Sequence, residues 1–113
     1  MTTPLGPLPG TLELLILKTL GAGSEMHGFA ILEWILESTD EQLMVEDGAL
    51  YYALHRMEGR GWLESDWGIS EKGRRARYYR ISDEGMKALG EEQHRWARYV
   101  DAVAKISARR AET

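Results

Sequence analysis

The run at residues 46–62, EDGALYYALHRMEGRGW, narrows the fold more than any other part of the chain. Leu50, Ala53, Leu54 and Met57 recur at i, i+3, i+4 and i+7, so they fall on one face of a helix. Glu46 and Asp47 stand at the end where a helix dipole favours negative charge, and Gly59 and Gly61 close the pattern. At about 100° per residue, Gly48, Ala49, Tyr52, His55 and Arg56 project away from the apolar stripe, with Tyr51 at its border. Such a helix needs a core on one side. On the other it presents small, aromatic and basic side chains.

Two earlier segments supply that core. Residues 11–20, TLELLILKTL, are almost continuously apolar. Their Leu content and scarcity of β-branched residues favour a buried helix over a strand. Thr11 is positioned to cap it, Glu13 suits its positive end, and Gly21 and Gly23 stop it. Residues 27–38, HGFAILEWILES, carry Phe29, Ile31, Leu32, Ile35 and Leu36 at broadly helical spacing, a second helix. Trp34 and Trp67 read as core or hairpin-packing residues.

After the third helix the pattern changes. Two short strands are expected, about residues 62–67 and 77–81, joined by GISEKGRRA as a long hairpin with a charged tip. Ser82 then offers an N-cap before Asp83 and Glu84, and a last helix runs to about residue 109. Leu89, Trp96 and Val103 recur every seven residues, interleaved with Met86, Gln93, Val100 and Ser107. This heptad-like seam exceeds what one small domain needs and calls for a partner helix. The expected fold is mainly α with a small β-hairpin: a winged helix-turn-helix plus a long C-terminal dimerisation helix. Residues 1–9 form a flexible, Pro- and Gly-rich arm, residues 10–82 the winged helix-turn-helix, and residues 83–109 the dimerisation helix. The expected dimer interface is Met86, Leu89, Gln93, Trp96, Val100 and Val103.

Charge distribution suggests what the exposed faces meet. The chain has 113 residues and a formal net charge of -4, yet residues 71–80, EKGRRARYYR, hold five Lys or Arg against one Glu. A solvated turn produces such a run by itself. Directly after a helix-turn-helix, it stands where a wing belongs. Lys72, Arg74 and Arg75 can there neutralise phosphates or enter a minor groove. Arg77 lies on or near a strand. The third helix is the candidate for the major groove, with Gly48, Ala49, Tyr51, Tyr52, His55 and Arg56 as its contact face. For Tyr51, packing against the hairpin remains an equal reading. Trp96 serves either as a bulky interface residue or as a flat wall for a planar ligand between subunits.

Other classes find little support. The chain has no cysteine, which removes disulfides and thiolate metal sites. No apolar run approaches membrane-spanning length, and the first residues lack the basic region of a signal peptide, so a cytoplasmic location is expected. His27, His55 and His94 lie on different elements without metal-ligand spacing. Neither a nucleophile elbow nor a phosphate or dinucleotide loop is found, so no enzyme activity, metal or cofactor is expected. Two functions remain: a dimeric regulator on a double-stranded DNA operator, and a winged-helix protein-interaction module without DNA binding. The net acidic surface motivates the second.

The pieces LPGTLELLILKTL, MHGFAILEWI, VEDGALYYALHRMEGRGWLES and RRARYYRISDEG together resemble PadR-family transcriptional regulators, from about residue 8 to residue 90. The most specific runs cover Gly48 to Trp62 and Arg75 to Gly85. The resemblance implies a homodimeric winged-helix repressor with its third helix in the major groove, its wing near the minor groove and its last helix in the dimer interface. Tyr51 matches the family's tyrosine at that place. The family commonly has proline next, where this chain has Tyr52. Some members bind phenolic or flat aromatic effectors near the dimer interface, which makes Trp96 the candidate wall for a small aromatic effector. The single, short C-terminal helix looks like the smaller branch of the family.

Overall fold

Three short helices, each with one apolar face, bury those faces best against one another. The computed structural model, which describes residues 3–112, has this arrangement. In chain order it contains helix α1 (Leu12–Leu20), strand β1 (Met26–His27), helix α2 (Gly28–Ser38), helix α3 (Asp47–Gly59), strands β2 (Leu63–Ile69) and β3 (Arg75–Ile81), and helix α4 (Asp83–Glu112). Ile16, Leu17 and Leu20 of α1 meet Ile31 and Ile35 of α2 and Leu50, Leu54 and Met57 of α3 in one buried cluster. Each such side chain contributes about 1.5–3 kcal/mol relative to exposure.

Helix α3 ends at a left-handed glycine. Gly61 has φ +80°. Its N–H donates to the Glu58 carbonyl, and the Trp62 N–H donates to the Met57 carbonyl, each at 3.0 Å. This Schellman pairing satisfies the last carbonyls of the helix and turns the chain straight into β2. Strands β2 and β3 pair antiparallel from Leu63↔Ile81 to Ile69↔Arg75. Leu63 and Tyr79 are buried on the face that meets the helices.

The sheet differs from expectation in two respects. β1 adds a third strand on the far edge of β3, through Met26↔Tyr79 and His27↔Tyr78. Two paired residues leave no periodic trace in a sequence. The hairpin ladder is also longer than expected. It closes at residues 70–74, where the Ser70 N–H donates to the Arg74 carbonyl at 2.7 Å and Gly73 takes φ +76°. Arg75 therefore stands on the strand, not in the tip.

Helix α4 starts hard against the turn between α3 and β2. The Ser82 hydroxyl accepts from the Gly85 N–H at 3.0 Å and donates to the Gly61 carbonyl. The Ser82 N–H donates to the Trp62 carbonyl at 3.0 Å. A methyl group on Gly85 would overlap that Trp62 carbonyl oxygen, so the approach requires glycine. One turn on, Leu89 packs against Gly21 at the end of α1 and is buried. Leu89, assigned by heptad spacing to a partner helix, thus belongs to the chain's own core, because α4 passes over α1 there. From residue 93 to residue 110 every side chain is exposed.

Two further expectations are corrected. Thr11 precedes α1, but its hydroxyl donates to the Leu8 carbonyl at 2.7 Å and makes no cap bond to the helix. Trp34 is exposed rather than in the core. Within the arm, the Leu5 N–H donates to the Gln42 carbonyl (2.8 Å) and the Leu5 carbonyl accepts from the Met44 N–H (2.9 Å). Residues 1 and 2 of that arm lie outside the described residues.

Candidate nucleic-acid interface

Helix α2 is capped by a histidine. His27 Nδ1 accepts from the Ala30 N–H at 3.1 Å, which satisfies one of the donors a helix start leaves unpaired. The next residue, Gly28, is covered by the Tyr51 ring. A methyl group there would come within 2.6 Å of the ring atoms. Tyr51 therefore packs on the start of α2, while 49% of its surface stays open. The packing partner expected for it was the hairpin. Tyr52 is the more exposed of the pair, with the Arg56 guanidinium 5.2 Å from its ring centroid.

The first turns of α2 and α3 form one wall of an open groove of about 910 Å³, and the wing forms the other. His27, Gly28, Phe29 and Tyr51 line the first wall; Trp67, Lys72, Arg74, Arg75 and Arg77 line the second. The alternation of β2 and β3 explains the second wall. Trp67, Arg75 and Arg77 share a face with buried Leu63 and Tyr79, and that face continues past the core into the groove. Gly48, Ala49 and His55 are exposed on α3, as its periodicity requires.

Pairing divides the cations into two groups. Arg56 is bound by Glu13 of α1 through Nε at 2.9 Å and Nη2 at 2.8 Å, and Arg60 shares the same carboxylate at 3.1 Å. Arg77 donates from Nε to Ser65 Oγ at 2.7 Å and lies 3.5 Å from Glu58 of α3. Arg80 pairs with Asp66 at 2.6 Å and Glu64 at 3.5 Å. The Glu13 hydrogen bond holds Arg56 above the ordinary guanidinium range, and Asp66 does the same for Arg80. Burial, reinforced by the Glu58 charge, pushes the Tyr79 phenol up, so it stays neutral beside the groove. By contrast, among the described residues no ion pair engages Lys72, Arg74 or Arg75. Of the cations that line the groove, these three are left over for an outside anion. Of the expected contacts, Arg56 and Arg77 are already engaged within the chain.

Sequence reasoning passed over Phe29 and Trp67 in this groove. Trp67 was traceable, since it alternates with Leu63 and Ser65 along β2. Glu13, which lies 43 residues from Arg56, left no local signal.

The other proposed site is on α4. Met86, Trp96, Val100 and Val103 are exposed apolar residues along one helix, joined by Tyr99 and Ile106. Trp96 stacks on Tyr99, with ring centroids 6.3 Å apart and planes 26° apart. A cleft of about 570 Å³ separates this part of α4 from the arm and α1. Leu5, Leu8, Leu14 and Leu15 line it opposite Gln93 and Trp96. Among the described residues, no His, Cys, Asp or Glu group is arranged to hold a metal ion. No described helix is long and apolar enough to cross a membrane.

A three-helix core, a three-stranded sheet with a basic wing and a long final helix define the winged helix-turn-helix class. Comparison with known proteins carries the assignment further. Residues 16–91 match the family described as "Transcriptional regulator PadR-like family". A transcriptional regulator from Clostridium thermocellum superposes with TM-score 0.77 at 31% identity, covering 85% of this chain and 92% of that one. A PadR family transcriptional regulator from Eggerthella lenta gives TM-score 0.72 at 31% identity over 86% of this chain and 81% of its own. A PadR-like regulator from Bacillus cereus gives TM-score 0.71 at 26% identity, covering 86% and 91%. The chain belongs to the PadR-like family: it is a DNA-binding transcriptional regulator and not an enzyme.

Proposed function

We propose that the protein is a homodimeric repressor that reads an operator with α3 and clamps its backbone with the wing. The observation that carries this reading is the sorting of charge. Arg56, Arg60, Arg77 and Arg80 are held by acids, while Lys72, Arg74 and Arg75 have no acidic partner among the described residues and line the groove beside Tyr51. Free cations neutralise phosphates at lower cost than cations that must first leave a carboxylate. Gly48, Ala49, Tyr52 and His55 face the major groove in this arrangement, with Tyr51 directed to the backbone at the start of α2. Arg56 contributes there by leaving or sharing Glu13.

The exposed run of Met86, Trp96, Val100 and Val103, with Gln93 between, supports an α4–α4 interface. Two-fold symmetry then sets two half-sites about one helical turn, roughly 10 bp, apart. The apolar cleft beside Trp96 supports release of the operator by a small flat aromatic effector.

Fluorescence anisotropy with a labelled duplex from the protein's own promoter region tests the core of the reading. Affinity should fall steeply between about 50 and 200 mM salt. Absence of binding at low salt would favour a protein-interaction module instead. Planar aromatic compounds should quench tryptophan fluorescence in wild type but not in Trp96→Phe, and should raise the dissociation constant for the duplex.

A further inference from the structure

Trp67 is 56% exposed, yet it stands between two arginines of different status. Its ring centroid lies 5.3 Å from the guanidinium carbon of Arg77 and 4.4 Å from that of Arg75. Arg77 is its direct cross-strand partner, and Arg75 is the diagonal neighbour on the same face. Arg77 is also anchored to the recognition helix. Glu58 accepts from Ser65 Oγ at 2.7 Å, and Ser65 accepts from Arg77 Nε at 2.7 Å. Among the described residues Arg75 has no acidic partner. Contacts therefore run in order from Glu58 on α3 through Ser65 and Arg77 to Trp67, and end on a free guanidinium.

A long flexible cation loses rotamer freedom when it fixes a phosphate. A ring that already holds the guanidinium removes part of that loss before DNA arrives. A two-stranded wing also twists easily, so its distance from α3 needs an anchor. We infer that Trp67 is a positioning residue for DNA binding, holding the Arg75 guanidinium at a set place relative to α3 for a backbone phosphate. The inference rests on the operator-binding reading above.

The test is a double-mutant cycle on the labelled promoter duplex, with Trp67→Ala, Trp67→Phe, Arg75→Ala and the Trp67→Ala/Arg75→Ala pair. Trp67→Ala should weaken binding about two- to fivefold, the range for a partly exposed cation–π contact, and Trp67→Phe should recover most of it. In the Arg75→Ala background, loss of Trp67 should change little. An equal loss in both backgrounds, or no loss from Trp67→Ala, overturns the positioning role. A second reading needs no DNA. In the wild-type protein the indole ring current should shift the Arg75 side-chain protons upfield in NMR spectra, and Trp67→Ala should abolish the shift. Unshifted Arg75 protons overturn the inference whatever the variants do. If the shift is present but wild-type protein fails to bind the duplex at low salt, the operator-binding reading falls and the positioning role with it. If wild type binds and Trp67→Ala binds equally well, the inference alone falls.

Discussion

Two glycines on α4 should respond to alanine with opposite signs. At Gly85 the new methyl would overlap the Trp62 carbonyl oxygen and press on Ile81. The Trp62 carbonyl cannot rotate aside, since it is backbone and accepts from the Ser82 N–H. Overpacking of this kind costs about 1–3 kcal/mol. Any tilt of α4 that relieves it also strains the Ser82 cap, which adds roughly 1 kcal/mol. The intrinsic gain of Ala over Gly in a helix offsets about 0.8–1.0 kcal/mol of this. Gly85→Ala should therefore lose about 2 kcal/mol, equivalent to a fall in Tm of roughly 8 °C at about 4 °C per kcal/mol. At Gly90, on the same helix, no atom lies within 4 Å of the added methyl. The propensity gain then stands alone, and Gly90→Ala should raise Tm by about 3–4 °C. Thermal melts followed by far-UV circular dichroism, at equal protein concentration because self-association would couple to stability, give both values. A Gly85→Ala protein as stable as wild type would refute the close approach of α4 to Trp62. A destabilised Gly90→Ala protein would show that its surroundings are not open.

Two other substitutions test separate parts of the account. His27→Ala removes the α2 cap and should cost about 1 kcal/mol in urea unfolding, whereas His27→Asn, which caps by the same hydrogen bond, should recover most of it. Val103→Asp sets a charge in the exposed α4 seam, so sedimentation should report monomers at micromolar concentration while the circular dichroism spectrum stays unchanged; an intact dimer would place the interface elsewhere.

Much of the fold is legible in the residues, for identifiable reasons. Helix α3 is visible because Leu50, Ala53, Leu54 and Met57 keep helical spacing and all four are buried. Ser82 is readable as a cap because its bond to Gly85 is local. What stays hidden depends on contacts distant in sequence. Strand β1 is two residues long and gains its identity only by pairing with Tyr78 and Tyr79. Thr11 and His27 show the limit of residue preferences. The better capping residue by type makes no cap, and the histidine supplies one. Leu89 satisfies the heptad pattern and the core pattern together, and only the position of α4 over Gly21 decides between them. In the groove, residue type identified the basic wing. The division between Lys72, Arg74 and Arg75 and the acid-bound arginines required Glu13, Glu58 and Asp66 to be located in space.

That division is also the most direct test of how the protein meets DNA. Binding of the promoter duplex should be measured against salt for wild type, for Lys72→Ala/Arg74→Ala/Arg75→Ala, and for Arg80→Ala. If the unpaired wing cations make the phosphate contacts, the triple variant loses affinity across sequences and its log–log salt slope flattens by roughly 0.9 per contact removed. Arg80→Ala, which removes a cation already held by Asp66, should leave the slope unchanged. Equal slopes for wild type and the triple variant, or a flattened slope for Arg80→Ala, would contradict the account.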